Sequence, residues 1–577
     1  MGRNCLIRPC WNIINEKIPA TVAEVIDILL ENRNLQRQSI TGDLKDLAEY
    51  LSMRGMREGA ALLARHLTGG SKIVIVADYD CDGITSASQL ALFLEEIEYG
   101  NFRVVIPLRE EGYGIPERAI RENADAGLFV AVDCGTLDVK QVELARSMGA
   151  DCLVIDHHEV PNGKTAPVSV LINPKHPDCC SAFKEFCAAG LTLLFLAALR
   201  HELKSNNFAN VPAIGGKYLA LAATGTVADL VPLVAGNRIL ASRGIHNLNA
   251  NTCPPLSRLA DDAGLSGKTL TAGHISYYLG PRINAAGRIS DGRIAYDLLT
   301  GNHPDELARL SGELNGLNAK RQAEEEKILQ DIHAELDGRP PNTRTLVLGD
   351  PAWPPGVIGI AASRVQQELH YGPVVIFSID KERRIARGSA RSVPGYDIHR
   401  ALSGCSDLLV KWGGHKAAAG LTISVERIAE FRDRFEEIAQ ESHPEIFSPQ
   451  GRVDMELPLS LAGPALIEAL RELEPYGMGN PAPVFCLRNA RFAIRRSFGK
   501  EGNHLRLEFE EGLEGVYWNG ADRLAAFLTN GREGCLDMVF QMGWDKYYGR
   551  PSIDIKDLGT FFHAGRTGSH LSSRLRK

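Results

Sequence analysis

Four apolar runs in this chain each stop on acidic or imidazole side chains, and no other feature restricts its folding so strongly. IVIVA leads into Asp78, Asp80 and Asp82 in IVIVADYDCDG, and VAV leads into Asp133 in VAVDCGT. CLVI leads into Asp156, His157 and His158 in CLVIDHH, and ATGTVA into Asp229 in ATGTVADLVPL. Unbroken runs of β-branched and aliphatic residues suit strands buried on both faces, as in parallel sheets. Reading all four runs as strands puts these polar groups at strand ends, and in open α/β sheets the carboxyl ends of the strands meet at one crevice. Crowded aspartates repel one another unless cations lie between them, and imidazoles among them favour Mn²⁺ or a similar ion over Ca²⁺. A single aspartate ahead of a helix is as readily a helix cap. Four acid-bearing run ends together point instead to a hydrolase that holds two metal ions.

The chain has 577 residues, and at about 150 residues per domain that implies three or four units. Its longest apolar stretch, Cys187 to Leu199, is too short to span a bilayer, is closed by Arg200, and reads as a buried helix. The N-terminus MGRNCLIRPCWNII has no apolar signal core, and Leu6 breaks a myristoylation pattern, so the expectation is a cytoplasmic protein with no membrane attachment. The twelve cysteines are scattered without a C-x-x-C pair, and His176, Cys179, Cys180 and Cys187 match no common zinc spacing. Cys81 and Cys134 read as small packing groups inside the acidic motifs. GKT at 267–269 is not a phosphate-binding loop, because Asp262 stands where its first glycine belongs.

A net charge of −7 argues against a protein coated in nucleic acid, yet leaves room for a basic groove. Arg282, Arg288 and Arg293 form one arginine group, and Arg383, Arg384, Arg387, Arg391 and Arg400 another. From Ile73 the pattern is parallel-sheet grammar, with strands expected at IVIVA, FRVVIPL, LFVAVD and CLVID and helices between them. Residues 305–336 read as a long charged helix, stopped by Asp337-Gly338 and two prolines. TLVLGD and PVVIFSID then flank a helix in a second α/β unit, and beyond Phe447 short strands such as HLRLEF and SIDIKDL indicate a small barrel.

In this order, DYDCDG, VDCGT, DHH and GTVADLVPL resemble the signature blocks of the DHH phosphoesterase superfamily. GPRINAAGRI from Gly280, GVIGIAASRV from Gly356, ARGSARS from Ala386, GGHKAAAG from Gly413 and LEPYGMGNPAPVF from Leu473 resemble its RecJ branch, the bacterial single-strand-specific exonucleases. The resemblance runs from Ile73 to Leu558. It implies an α/β protein with a DHH-type parallel-sheet catalytic domain over residues 1–304, including an N-terminal helical segment. A connecting helix (305–340), a DHH-associated α/β substrate-binding domain (341–446), an OB-fold nucleic-acid-binding barrel (447–563) and a basic tail (564–577) would follow.

By the same resemblance Asp78, Asp80, Asp133, His157 and Asp229 are metal ligands, with Asp133 bridging two Mn²⁺ or Mg²⁺ ions. Asp82 and Asp156 are ligands or orienters of ligands, and His158 contacts the scissile phosphate. Arg109, before Gly-Tyr-Gly, and the pair Ser389 and Arg391 take up substrate phosphate, for which the planar guanidinium fork is suited. Arg282, Asn284, Ser363, Arg364 and His415 complete the substrate lining, while Tyr517, Trp518, Trp544, Tyr547 and Tyr548 are candidates for base stacking or for barrel core.

The implied activity is 5′-to-3′ hydrolysis of single-stranded DNA to mononucleotides in recombination and repair. The implied partners are single-stranded DNA, a helicase and a single-strand-binding protein, and the implied state is a monomer. Two alternatives stand beside it. A small-substrate phosphoesterase leaves the third unit without a task, and a non-catalytic scaffold would have lost motif acids that are all present here.

Overall fold

The run IVIVA is buried at every position and forms strand β1 (Ile73–Ala77), an interior strand of a five-stranded sheet. The structure is a computed structural model that describes residues 7, 9–40, 42–336, 343–499, 501–525, 527–528, 533–545 and 549–562. The expected helix stop at 337–341, Tyr547, Tyr548 and the tail from Ala564 lie outside the described residues. By compactness the chain divides into two units, one of residues 41–327 with 474–481, the other of the described residues up to 40, 328–473 and from 482 onward.

In the first unit β1 leads into helix α1 (Cys81–Glu96), followed by β2 (Phe102–Val105), β3 (Leu128–Val132), β4 (Asp151–Ile155) and β5 (Val170–Ile172). All pairings are parallel and the order is β2-β1-β3-β4-β5. This is a doubly wound sheet whose order reverses between β1 and β3, and the crevice at such a switch point is where ligands bind. Helix α1 is buried from Cys81 to Leu94. Inside it Ser86 donates to the Asp82 carbonyl at 2.7 Å, and Gln89 Nε2 donates to that of Ala189 at 3.1 Å. Packed beside it are α2 (Ala188–Ser205), which contains the long apolar stretch, and α3 (Lys217–Ala228).

Here one expectation fails. Asp229 does not close a strand; it caps the C-terminus of α3. The run KYLALAATGTVA is buried from Tyr218 to Val227 and mostly small or apolar, so it shows no helical stripe and cannot be told from a strand by periodicity. Gly225 shows why the residues are small: a Cβ there would lie 2.5 Å from the Ala189 methyl and the Thr85 hydroxyl oxygen. Helices α4 (Gly280–Ile289) and α5 (Pro304–Glu335) follow.

The second unit contains β6 (Leu346–Asp350), α6 (Ile358–Glu368), β7 (Val374–Asp380), β8 (Ile385–Arg391), β9 (Leu409–Gly414) and β10 (Ala418–Ser424). They form a mixed sheet of order β9-β10-β8-β7-β6, in which only β6 and β7 are parallel. Five further strands close a barrel: β11 (Phe485–Phe498), β12 (His504–Phe509), β13 (Glu514–Tyr517), β14 (Glu533–Asp545) and β15 (Arg550–Gly559), with β14 pairing back onto β11. Within this unit Cys10–Ile13 pairs in parallel with Gln450–Val453. The described residues up to 40 therefore group by compactness with the C-terminal elements. Strand pairing across more than 400 residues leaves no local signal.

Among the described residues no helix is long and apolar enough to cross a membrane.

Candidate metal centre

The loop after β1 turns sharply into α1, and two side chains make the turn. Asp80 is the helix N-cap, its Oδ1 accepting from the backbone N–H groups of Asp82 (2.9 Å) and Gly83 (3.1 Å). Position 83 must be glycine, because a Cβ would sit 2.4 Å from the Asp78 carbonyl oxygen. Gly83→Ala is expected to cost about 1–3 kcal/mol by overpacking against backbone, measured as a lowered denaturant midpoint. An unchanged midpoint would show that the turn can relax. From α4, Asn284 Oδ1 accepts from Cys81 N–H at 2.7 Å and fixes the same loop.

Asp133 follows β3 with φ at 59°, a left-handed conformation that Asp and Asn tolerate better than most residues. After β4, Asp156 is saturated: one oxygen accepts from the backbone of His157 (2.7 Å) and His158 (3.2 Å) and from His158 Nδ1 (2.7 Å), while the other takes Thr136 N–H (3.2 Å). Its bond to Nδ1 holds the His158 ring. Asp82 is likewise engaged, its two oxygens accepting from the first N–H groups of α2, Ala188 at 2.7 Å and Ala189 at 2.8 Å. That placement uses the positive end of the helix to hold a buried carboxylate.

Around these groups His157 Nε2 lies 3.2 Å from Asp133 and 3.7 Å from both Asp82 and Asp229. Three overlapping sets each bring their donor atoms within 4.8 Å: Asp78, Asp80 and Asp133; Asp133, His157 and His158; Asp82, His157 and Asp229. One oxygen of Asp78 and one of Asp133 are buried without a hydrogen bond. Such atoms are costly unless something else coordinates them, and an all-oxygen and imidazole donor set suits Mn²⁺ or Mg²⁺.

The electrostatics agree. Burial, then the charge of Asp80, pushes Asp78 up to about 8. Burial and the surrounding carboxylates raise Asp133 and Asp229 well above the ordinary range, and Asp82 rises to about 6. Burial would also raise Asp156, but hydrogen bonding and charge from His158 outweigh it and hold it well below. The Cys81, Cys134 and Cys187 thiols are pushed up by burial and adjacent aspartates, so they remain neutral packing groups. Among the described residues the cysteine-histidine group near His176 forms no metal cluster.

These shifts set a pH dependence. Between 3.8 and about 8 the ion-free folded protein holds a proton on Asp78 that the unfolded chain has released, so its stability falls as pH rises through that window. Scanning calorimetry in EDTA should therefore show a lower melting temperature at the upper end of the window than at the lower. Mn²⁺ should raise it in proportion to the logarithm of its excess over Kd. No Mn²⁺ response at the upper end would remove the metal-centre reading.

Two neighbours carry no acidic signature and were missed in the sequence. Tyr113 Oη lies 2.9 Å from both the Asp133 carbonyl and His158 Nδ1, and only its Gly-Tyr-Gly setting could have flagged it. Lys175, paired with Glu159 at 3.0 Å, opposes the rise at Asp229. Arg109 stacks over Tyr79, its guanidinium carbon 5.4 Å from the ring centroid. Arg282 donates to Asn315 (3.0 Å) and to the Tyr278 carbonyl (2.9 Å).

In the other unit Ser363, Ser389 and Arg391 come together. Arg391 Nε donates to Ser363 Oγ and Nη1 to Ser389 Oγ, both at 3.0 Å. Gly359 leaves room for this, since a Cβ would lie 3.0 Å from Arg391 Nη2. Arg364 pairs with Glu368 at 3.0 Å, and His415 is exposed in the turn between β9 and β10. Of the arginine groups, Arg293, Arg383 and Arg384 make surface pairs with Asp297, Asp380 and Glu426. In the barrel Tyr517 is core, whereas Trp518 and Trp544 are exposed.

Comparison with known proteins agrees in all three regions. The chain matches the DHH family N-terminal domain over residues 72–226, the DHHA1 domain over 342–441 and the RecJ OB domain over 453–557. It is 31% identical over 565 residues to the single-stranded-DNA-specific exonuclease RecJ of Escherichia coli, covering 93% of this chain and 96% of that one. It is 31% identical over 521 residues to RecJ of Bacillus subtilis, covering 89% of this chain but 64% of that relative's length. The crystal structure of Thermus thermophilus RecJ in complex with Mn²⁺ superposes with a TM-score of 0.80 at 29% identity, covering 98% of this chain and 80% of that one.

Proposed function

Because the chain belongs to the RecJ family of single-stranded-DNA-specific exonucleases, we propose that it is a metal-dependent exonuclease that hydrolyses single-stranded DNA from the 5′ end to mononucleotides. The observation that carries this reading is the set of three overlapping donor groups at the switch point, with buried carboxylate oxygens left unbonded. Asp78, Asp80, Asp133, His157 and Asp229 would hold two Mn²⁺ or Mg²⁺ ions. When bound, such ions neutralise a phosphodiester, activate water and stabilise the leaving oxygen.

The protein's own groups do the positioning. Asp156 fixes the ring of His158, which faces the scissile phosphate, and Asp82 fixes the wall behind His157. Arg109 and Arg282 neutralise the strand's backbone near the centre, with Asn284 acting on the Cys81 loop. Ser363, Ser389 and Arg391 hold the terminal phosphate: no carboxylate among the described residues pairs with this guanidinium, and an anion is what such a site lacks. Arg364, His415 and the exposed Trp518 and Trp544 are further contacts for the strand.

The domain division, with a catalytic sheet, a connecting helix, a phosphate-holding domain and a strand-binding barrel, follows from the same reading. So do a cytoplasmic location, a monomeric state, and a helicase and a single-strand-binding protein as partners. Incubating end-labelled single- and double-stranded DNA with Mn²⁺ or Mg²⁺ tests the function. Mononucleotides released from the 5′ end of single strands are the expected result, and endonucleolytic fragments or no hydrolysis would refute it.

A further inference from the structure

Immediately before α4 the chain makes one wide π turn, Ile275–Leu279. Single turns of this type inside helices recur at functional sites. This one buries Ile275 and Leu279 completely while leaving Tyr277 79% and Tyr278 40% exposed. Lone surface tyrosines are ordinary. Two in succession, held out by a turn anchored on both sides, are less so.

The setting ties them to the metal centre. At the start of α4 a Cβ on Gly280 would lie 2.9 Å from the methyl of Ala228, the residue before Asp229. One turn on, Asn284 bonds the Cys81 loop at 2.7 Å, and a Cβ on Gly287 would lie 2.5 Å from the Tyr79 carbonyl oxygen. α4 thus lies along the acidic loops, and the tyrosines stand at its entry. Arg282 Nη1 donates to the Tyr278 backbone carbonyl at 2.9 Å, which puts a positive charge on the same turn, and the Tyr278 ring lies tilted 5.9 Å from that of His274.

We propose that Tyr277 and Tyr278 form a base-stacking step that grips the unpaired strand beside the metal centre and contributes to the choice of single strands over duplex. This rests on the nuclease reading and adds a residue-level reason for the strand preference. An aromatic face accepts any base, so the grip is indifferent to sequence. It needs a free base face, and in a duplex both faces of every interior base are already covered by neighbours. Arg282 supplies positive charge for the intervening phosphates.

The test uses the full chain, a fluorescent oligo-dT strand and EDTA, so that binding is read without turnover. Replacing both residues by alanine (Tyr277→Ala with Tyr278→Ala) should weaken binding by about tenfold or more, while replacing both by phenylalanine should preserve it. With Mn²⁺ present, the alanine pair should lose through KM. On a strand whose bases are replaced by abasic sites, the alanine pair and the wild type should bind equally.

Undiminished oligo-dT binding by the alanine pair, or the same loss on the abasic strand, would overturn the stacking step. So would a changed sedimentation coefficient with unchanged DNA affinity, which would assign the rings to self-association. A wild type that hydrolyses bis-p-nitrophenyl phosphate with Mn²⁺ but binds no single strand would overturn the nuclease reading itself, and this inference with it.

Discussion

Asp133→Asn is expected to abolish hydrolysis while making the ion-free protein more stable. Its carboxylate belongs to two of the three donor sets and stands buried among Asp78, Asp80, Asp82 and Asp229. When no ion is bound a carboxyl there must take up a proton or bear its neighbours' repulsion, and asparagine does neither, so the melting temperature in EDTA should rise. The same change removes the carboxylate that we propose as the bridging ligand. Metal ions supply several kcal/mol of transition-state stabilisation, so release of nucleotides should fall by more than about a thousandfold. Added Mn²⁺ should stabilise the variant less than the wild type. Asparagine is the informative replacement, because the left-handed backbone at 133 strains alanine by about 1–2 kcal/mol and would blur the stability change. Activity within about tenfold of wild type across a Mn²⁺ titration would dismiss Asp133 as a bridging ligand.

Such a pairing of gained stability with lost activity is expected wherever like charges are gathered for function. It also explains why so much of this centre was legible beforehand. β1, β3 and β4 are buried on both faces, so their apolar runs are unbroken and the acids that end them stand out. Asp229 was found by its acid and misplaced in its element, since α3 is packed on every side and its small residues carry no 3.6-residue stripe. Whether an aspartate coordinates or positions could not be read from sequence. Asp82 and Asp156 look like their neighbours in the motif, but Asp82 is occupied by the Ala188 and Ala189 N–H groups, and one oxygen of Asp156 by that of Thr136, which only the fold brings near. Asn284 was expected to face substrate, and the fold adds that its Oδ1 holds the Cys81 loop. Tyr113 was missed because a lone hydroxyl carries no acidic pattern, and only its Gly-Tyr-Gly setting could have flagged it. The parallel pairing of Cys10–Ile13 with Gln450–Val453 lay beyond any local rule.

Arg391 gives the second large effect. Removing the 5′-phosphate from the strand, or making Arg391→Ala, should each slow the reaction by roughly tenfold to a hundredfold, as loss of one charge-assisted contact of about 1.5–3 kcal/mol requires. The two changes together should be little worse than either alone, because both delete the same interaction. The structure gives a reason to expect a contact of this strength. Arg391 is half-buried, its guanidinium is held by Ser363 and Ser389, and burial already lowers its affinity for the proton. A cation so placed gains more from an arriving phosphate than an exposed arginine would. Arg391→Lys should rescue only part of the loss, since an ammonium cannot reproduce the two-pronged geometry. The measurement is a four-cell kinetic comparison of wild type and variant on 5′-phosphoryl and 5′-hydroxyl strands of one sequence. Fully additive losses would place Arg391 elsewhere along the strand, and nucleotides released from the 3′ end would reverse the proposed polarity.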